Sequence, residues 1–190
     1  MIQQLIETKS FSDYHGQVGK LADFSNEEHP SEFYAWDKFL LFTHGDYTVI
    51  GFVYGKACTI ISSDWVYTLK HGMYFSVPMN KYHEFKICGG EGFAIVRKNY
   101  KGFFHLGGPV EEDGRLKYID GCKDSLLIPP VKLGDPCLNL LVFPPGTNQT
   151  MHTHPSVRLG MVISGKGVCV VPEGEIPLYP GQIFCPFVPT

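Results

Sequence analysis

At 190 residues the chain has material for one large domain or two small ones of about 100 residues each. Hydrophobic residues make up 44% and charged residues 18%, while 21 glycines, 14 prolines and 14% aromatics suit short strands and tight turns better than long helices. A formal net charge of −3 without any basic run argues against nucleic acid, no apolar stretch approaches the roughly 18–20 residues of a membrane span, and MIQQLIETKS lacks a secretion signal's charged start and apolar centre; a soluble cytoplasmic protein is expected.

Residues 1–34 read as a polar N-terminal extension, in which Ser25-Asn26-Glu27-Glu28 ahead of His29-Pro30 predicts a short helix. From Phe39 the texture changes to strand-length apolar runs: FLLF, YTVIGFVYG, KACTIIS, DWVYTL, GMYFSVP, HEFKIC and GFAIVRK. None has helical periodicity over ten residues, so 35–105 is taken as one strand-rich unit. Residues 106–130 are loose in Gly, Pro and charge and read as a surface linker. Strand-like runs resume over 131–190 with CLNLLVFPPG, VRLGMVISG, KGVCVVP and IPLYPGQIFCPFVP. The six cysteines form no CxxC pair and sit mostly inside such runs, which points to buried thiols in a reducing compartment.

The two strand-rich stretches resemble each other. Gly51 lines up with Gly160, Leu69-Lys70-His71-Gly72 with Leu178-Tyr179-Pro180-Gly181, and Phe75 with Phe184, all at an offset of 109; Gly55 and Gly165 match at 110. Two separated blocks sharing one offset indicate an internal repeat.

The second stretch holds the candidate chemistry. In Gly146-x5-His152-Thr153-His154-x3-Arg158-x6-Gly165, an extended backbone would send both histidines to one side, about 6.5–7 Å apart, where two imidazoles can converge on one ion. An isolated HxH is more often incidental; here two glycines and Pro144, Pro145 and Pro155 frame it.

These residues resemble the first motif of the cupin family, G-x5-H-x-H-x3-E-x6-G, with Arg158 in place of Glu. Gly72-x5-Pro78-Met79-Asn80-x2-His83 resembles the family's second motif, Asn80 standing for a glycine. The resemblance implies an all-β fold, a duplicated double-stranded β-helix (jelly-roll, cupin) barrel whose second copy is incomplete. It implies a divalent metal ion (iron, manganese, nickel or zinc) on His152 and His154. The second-motif His of the second copy would fall near position 192, so a third His ligand past Thr190 is expected; some cupin dioxygenases use three His and no Glu. Arg158 cannot ligate a cation and is read as a substrate-binding residue that clamps an acidic group, or else as a wall residue paired with Glu173 or Glu175.

At an offset of 110 the first copy has Phe42 at the first His position, His44 at the second and Thr48 at the Glu position, so it reads as a copy with a filled interior. His15, His29, His71 and His105 lie in turns or near Gly and Pro and are taken as solvated. The function implied is a metal-dependent oxygenase or isomerase acting on a small organic molecule, with a non-enzymatic binding or sensing protein as the alternative. A homodimer is expected, because open sheets expose edges.

Overall fold

The structure is a computed structural model describing residues 10–154 and 156–186. Its strands in chain order are β1 (Phe11–Asp13), β2 (Gly19–Phe24), β3 (Ser31–Trp36), β4 (Phe39–Phe42), β5 (Tyr47–Val53), β6 (Cys58–Ile61), β7 (Val66–Leu69), β8 (Tyr74–Pro78) and β9 (Phe85–Gly89). There follow β10 (Gly92–Lys98), β11 (His105–Gly107), β12 (Leu116–Lys117), β13 (Lys123–Ile128), β14 (Leu138–Val142), β15 (Gly160–Met161), β16 (Gly167–Val171), β17 (Gly174–Leu178) and β18 (Ile183–Pro186). The one helical element among the described residues is a 3₁₀ turn, Ile119–Gly121. Among the described residues no helix is long and apolar enough to cross a membrane.

In the first unit a six-stranded sheet, β11-β8-β5-β10-β3-β2, closes over a four-stranded one, β4-β9-β6-β7. One core fills the space between them, drawing Val49, Val53, Phe75 and Val77 from the first sheet and Phe42, Ile60, Leu69, Phe85 and Ile87 from the second. Strand β5 explains its own apolar run: Val49 and Val53 face this core, while Phe52 on the other face joins a second cluster. A strand buried on both faces has no polar side to show. That second cluster, with Phe33, Ala35, Phe93, Ile183 and Cys185 at its centre and Leu159, Met161 and Ile163 packed against it, welds the two units together.

The second unit consists of three small sheets, β1-β18-β15, β12-β13-β14 and β16-β17. Its pairings copy those of the first. Cys58↔Leu69 through Ile61↔Val66 in the β6–β7 hairpin becomes Gly167↔Leu178 through Val170↔Glu175 in β16–β17. Gly51↔Phe75 becomes Gly160↔Phe184. The amide of Gly72 donates to the Val53 carbonyl (2.9 Å), as that of Gly181 does to Val162 (2.8 Å); Val53 donates to Met73 (2.8 Å), as Val162 does to Gln182 (3.0 Å). All are displaced by 109. The offset of 110 between Gly55 and Gly165 is therefore not structural: the two glycines sit one place apart in equivalent turns, both with positive φ (63° and 78°).

One local expectation fails. Residues 25–28 form no helix; they make the turn between β2 and β3, with the Glu27 amide donating to the Phe24 carbonyl (3.2 Å) and the Asp23 carboxylate accepting from the Ser25 amide (3.0 Å). A local side-chain acceptor competes successfully with a short helix. Residues 106–130 are more than a surface connection, since β12 and β13 lie there and β13 pairs with β14. Likewise the described part of 1–34 is woven into the sheets: β1 pairs with β18, and β2 and β3 lie beside β10.

Candidate metal centre

His152 and His154 lie in the long connection from β14 to β15, which has no strand among its described residues. This corrects the expectation of an extended HxH strand. Pro144, Pro145 and Pro155 remove three ladder donors from the stretch, and a turn opens it, with the Thr147 amide (3.1 Å) and hydroxyl (2.7 Å) donating to the Pro144 carbonyl. Strand alternation therefore does not aim the pair. The rings meet all the same, with centroids 4.7 Å apart and planes at 85°. Nor are both rings enclosed: His152 is exposed and His154 half-buried.

The two imidazoles are held differently. His152 turns Nδ1 to the Thr150 carbonyl (2.7 Å), and the Thr150 amide in turn donates to Asp120 Oδ2 (2.6 Å). For His154, burial first, then the positive charge of Arg158 and the neighbouring His152, push the pKa down to about 4. His154 is neutral at physiological pH, with a lone pair available to a metal or a proton.

Arg158 is half-buried, and its Nε is sealed from solvent without a hydrogen-bond partner. Burial lowers the guanidinium's pKa, while Tyr118, Cys137 and Asp124 favour its charge. Asp124 is buried, with Oδ1 unpartnered and Oδ2 accepting from Asn139 Nδ2 (3.4 Å). No ion pair joins Arg158 to Glu173 or Glu175, and Glu173 takes a hydrogen bond from Ser10 Oγ (3.1 Å). The counterpart of Arg158 at the offset of 109 is Val49, fully buried in the first core. Where the first unit seals a valine, the second holds a guanidinium whose Nε is buried without a hydrogen-bond partner.

The first unit supplies no equivalent pair. Phe42 is buried and stacks on Phe85 (5.8 Å), and at the offset of 109 the positions matching His152 and His154 are Thr43 and Gly45 rather than Phe42 and His44. His44 is exposed, and His83 contacts Asp64 (3.5 Å) and Asn80 (3.1 Å). Among the remaining histidines, His15, His71 and His105 are exposed, His105 lying in β11 and stacked on Tyr74 (5.6 Å), but His29 is half-buried against Arg97 (3.2 Å). All six cysteines are free thiols, three of them buried. Among the described residues no group of three His, Cys, Asp or Glu side chains is placed to hold a metal.

Sequence reasoning missed Tyr118, Asp120, Asp124 and Asn139. The first three lie in the stretch read as linker, where the only local signal was the turn-forming Asp120-Gly121 dipeptide.

The fold is an all-β double-stranded β-helix, the cupin jelly roll. Among solved structures the chain resembles a Cupin 2 conserved barrel domain protein from Leptotrichia buccalis, at 14% identity over 95% of this chain and 91% of that one, with a TM-score of 0.63. It also resembles protein Ylba from E. coli (13% identity, 97% and 86% covered, TM-score 0.58) and a Pseudomonas aeruginosa protein solved by structural genomics (12%, 98% and 84%, TM-score 0.64). No protein-family model matches the chain, and no curated protein matches it.

Proposed function

We propose that this chain is a duplicated cupin, a bicupin, that holds a divalent metal ion (iron, manganese, nickel or zinc) on His152 and His154 and acts as a metal-dependent oxygenase or isomerase on a small organic molecule. One observation carries the reading: two imidazoles 4.7 Å apart, one of them kept neutral by burial beside a fixed positive charge. The donor set fits half of a coordination shell, two neutral nitrogens of the kind these metals favour. Bound there, the metal would supply Lewis acidity and open positions for a small molecule. The residues around it do the rest: Arg158 offers an unpartnered buried N–H to an acidic or carbonyl oxygen, and Asp124 offers an acceptor. The shared registers at an offset of 109 support duplication, since separately arisen sheets have no reason to copy each other's pairings.

The test is metal content and affinity. Wild-type protein dialysed against each metal should retain close to one ion per chain by elemental analysis, and H152A and H154A should each lose it. Background metal in the wild type would end the reading.

The exposure of His152 and the lack of a third donor among the described residues favour a second reading, a non-enzymatic binding or sensing cupin. It predicts ligand-induced thermal stabilisation of metal-free protein. Six free thiols support a reducing cytoplasmic location, and the uncovered edges of the two-stranded β16–β17 ribbon support a homodimer; a 21.3 kDa species in light scattering would contradict the dimer.

A further inference from the structure

We infer that Asp120 is a positioning residue that fixes the tautomer and aim of His152. The turn Tyr118–Cys122 forms a small cradle, closed by hydrogen bonds from the Tyr118 amide to the Cys122 carbonyl (2.9 Å) and from the Cys122 amide to the Ile119 carbonyl (3.1 Å). Buried Cys122 anchors it. Asp120 sits at its tip in the left-handed region (φ 54°, ψ 36°), one of only two non-glycine residues with positive φ among those described. Aspartate tolerates that backbone better than most residues, and here the conformation presents the carboxylate to another loop.

Two contacts fasten the histidine loop to the cradle: the Thr150 amide donates to Asp120 Oδ2 (2.6 Å), and Gln149 Nε2 donates to the Cys122 sulfur (3.6 Å). Thr150 so held points its carbonyl at His152 Nδ1 (2.7 Å). A carbonyl oxygen can only accept, so Nδ1 carries the hydrogen and the lone pair of the neutral ring lies on Nε2. The chain Asp120–Thr150–His152 is thus a carboxylate acting on a ligating imidazole through one intervening residue, the outer-shell arrangement that orients metal-binding histidines. The tautomer assignment stands on the hydrogen bonds alone; the consequence for metal affinity rests on the proposed metal site.

The experiment is a long-range imidazole ¹H–¹⁵N correlation on the full-length, metal-free chain above pH 7.5, for wild type, D120N and D120G, with H152Q to assign the ring. D120G keeps the left-handed backbone and deletes the carboxylate, whereas D120N keeps an acceptor. Wild type and D120N should show the Nδ1–H tautomer, and D120G should relax toward the Nε2–H form that predominates in free histidine. Zn²⁺ titration should find D120G weakened about 10–100-fold and D120N close to wild type. An Nε2–H ring in wild type, or an unchanged Nδ1–H ring in folded D120G, overturns the inference. Wild type that binds no Zn²⁺ yet changes tautomer in D120G sinks the metal site and upholds the role of Asp120.

Discussion

The two units share a hydrogen-bond plan and differ in what they enclose. In the first, Val49, Val53, Ile60, Phe75, Phe85 and Ile87 are all fully buried. Their counterparts in the second, where the chain reaches them, are Arg158, Val162, Cys169 and Phe184, each only half-buried. Valines 168 and 170 on β16 are more than half exposed, at 54% and 53%. Backbone registers are thus indifferent to whether a barrel is filled, because ladder bonds join main-chain atoms common to all residues, whereas a site needs room and unpaired polar groups. The less deeply buried unit is the one that holds the histidine pair.

The largest test of that contrast exchanges equivalent aromatics. F75A should cost about 3–5 kcal/mol in urea unfolding, the price of a cavity in a close-packed core. F184A should cost about 1–2 kcal/mol, since its ring is half-buried beside Phe11. Equal losses would show the second unit to be as tightly filled as the first.

A finer test uses the paired glycines. A Cβ on Gly51 would stand 2.3 Å from the Phe75 ring, and one on Gly160 would stand 2.5 Å from the Phe184 ring. G51A should destabilise by about 1–3 kcal/mol because the Phe75 ring is locked in the core. G160A should cost under about 1 kcal/mol, the Phe184 ring being only half-buried and so less confined than Phe75; a larger cost than G51A would reverse the comparison.

Acid should act on the second unit. His154 has its pKa lowered from 6.5 to about 4, so between those values the unfolded chain holds a proton that the folded one refuses. The stability tied to its neutrality is full above pH 6.5 and is lost as the pH falls through 4. After discounting for partial exposure the effect is about 1 kcal/mol, and H154Q should flatten the slope of urea midpoints between pH 6.5 and 4.5.

The smallest expected change is that of R158L, within about 1 kcal/mol of wild type, because the buried Nε has no hydrogen bond to lose. A loss above about 3 kcal/mol would mean that the residue is structural and not held for a ligand.

The sequence by itself determined the strand content, and its glycine spacing matches the shared pairing registers of the two units. Strand-forming runs such as Tyr47–Val53 are local, and glycines at a common offset survive as a pattern because turns and close ring contacts demand them. Legibility stopped at contacts between distant segments. That β1 would pair with β18, that Asp120 would reach Thr150, and that Asp124 and Asn139 would meet near Arg158 depend on where loops settle after both sheets have packed. Even the histidine pair was placed by tertiary structure: the prolines denied it a ladder, and its rings came together through the curvature of a connection fastened at Asp120 and Cys122, which no i, i+2 spacing encodes.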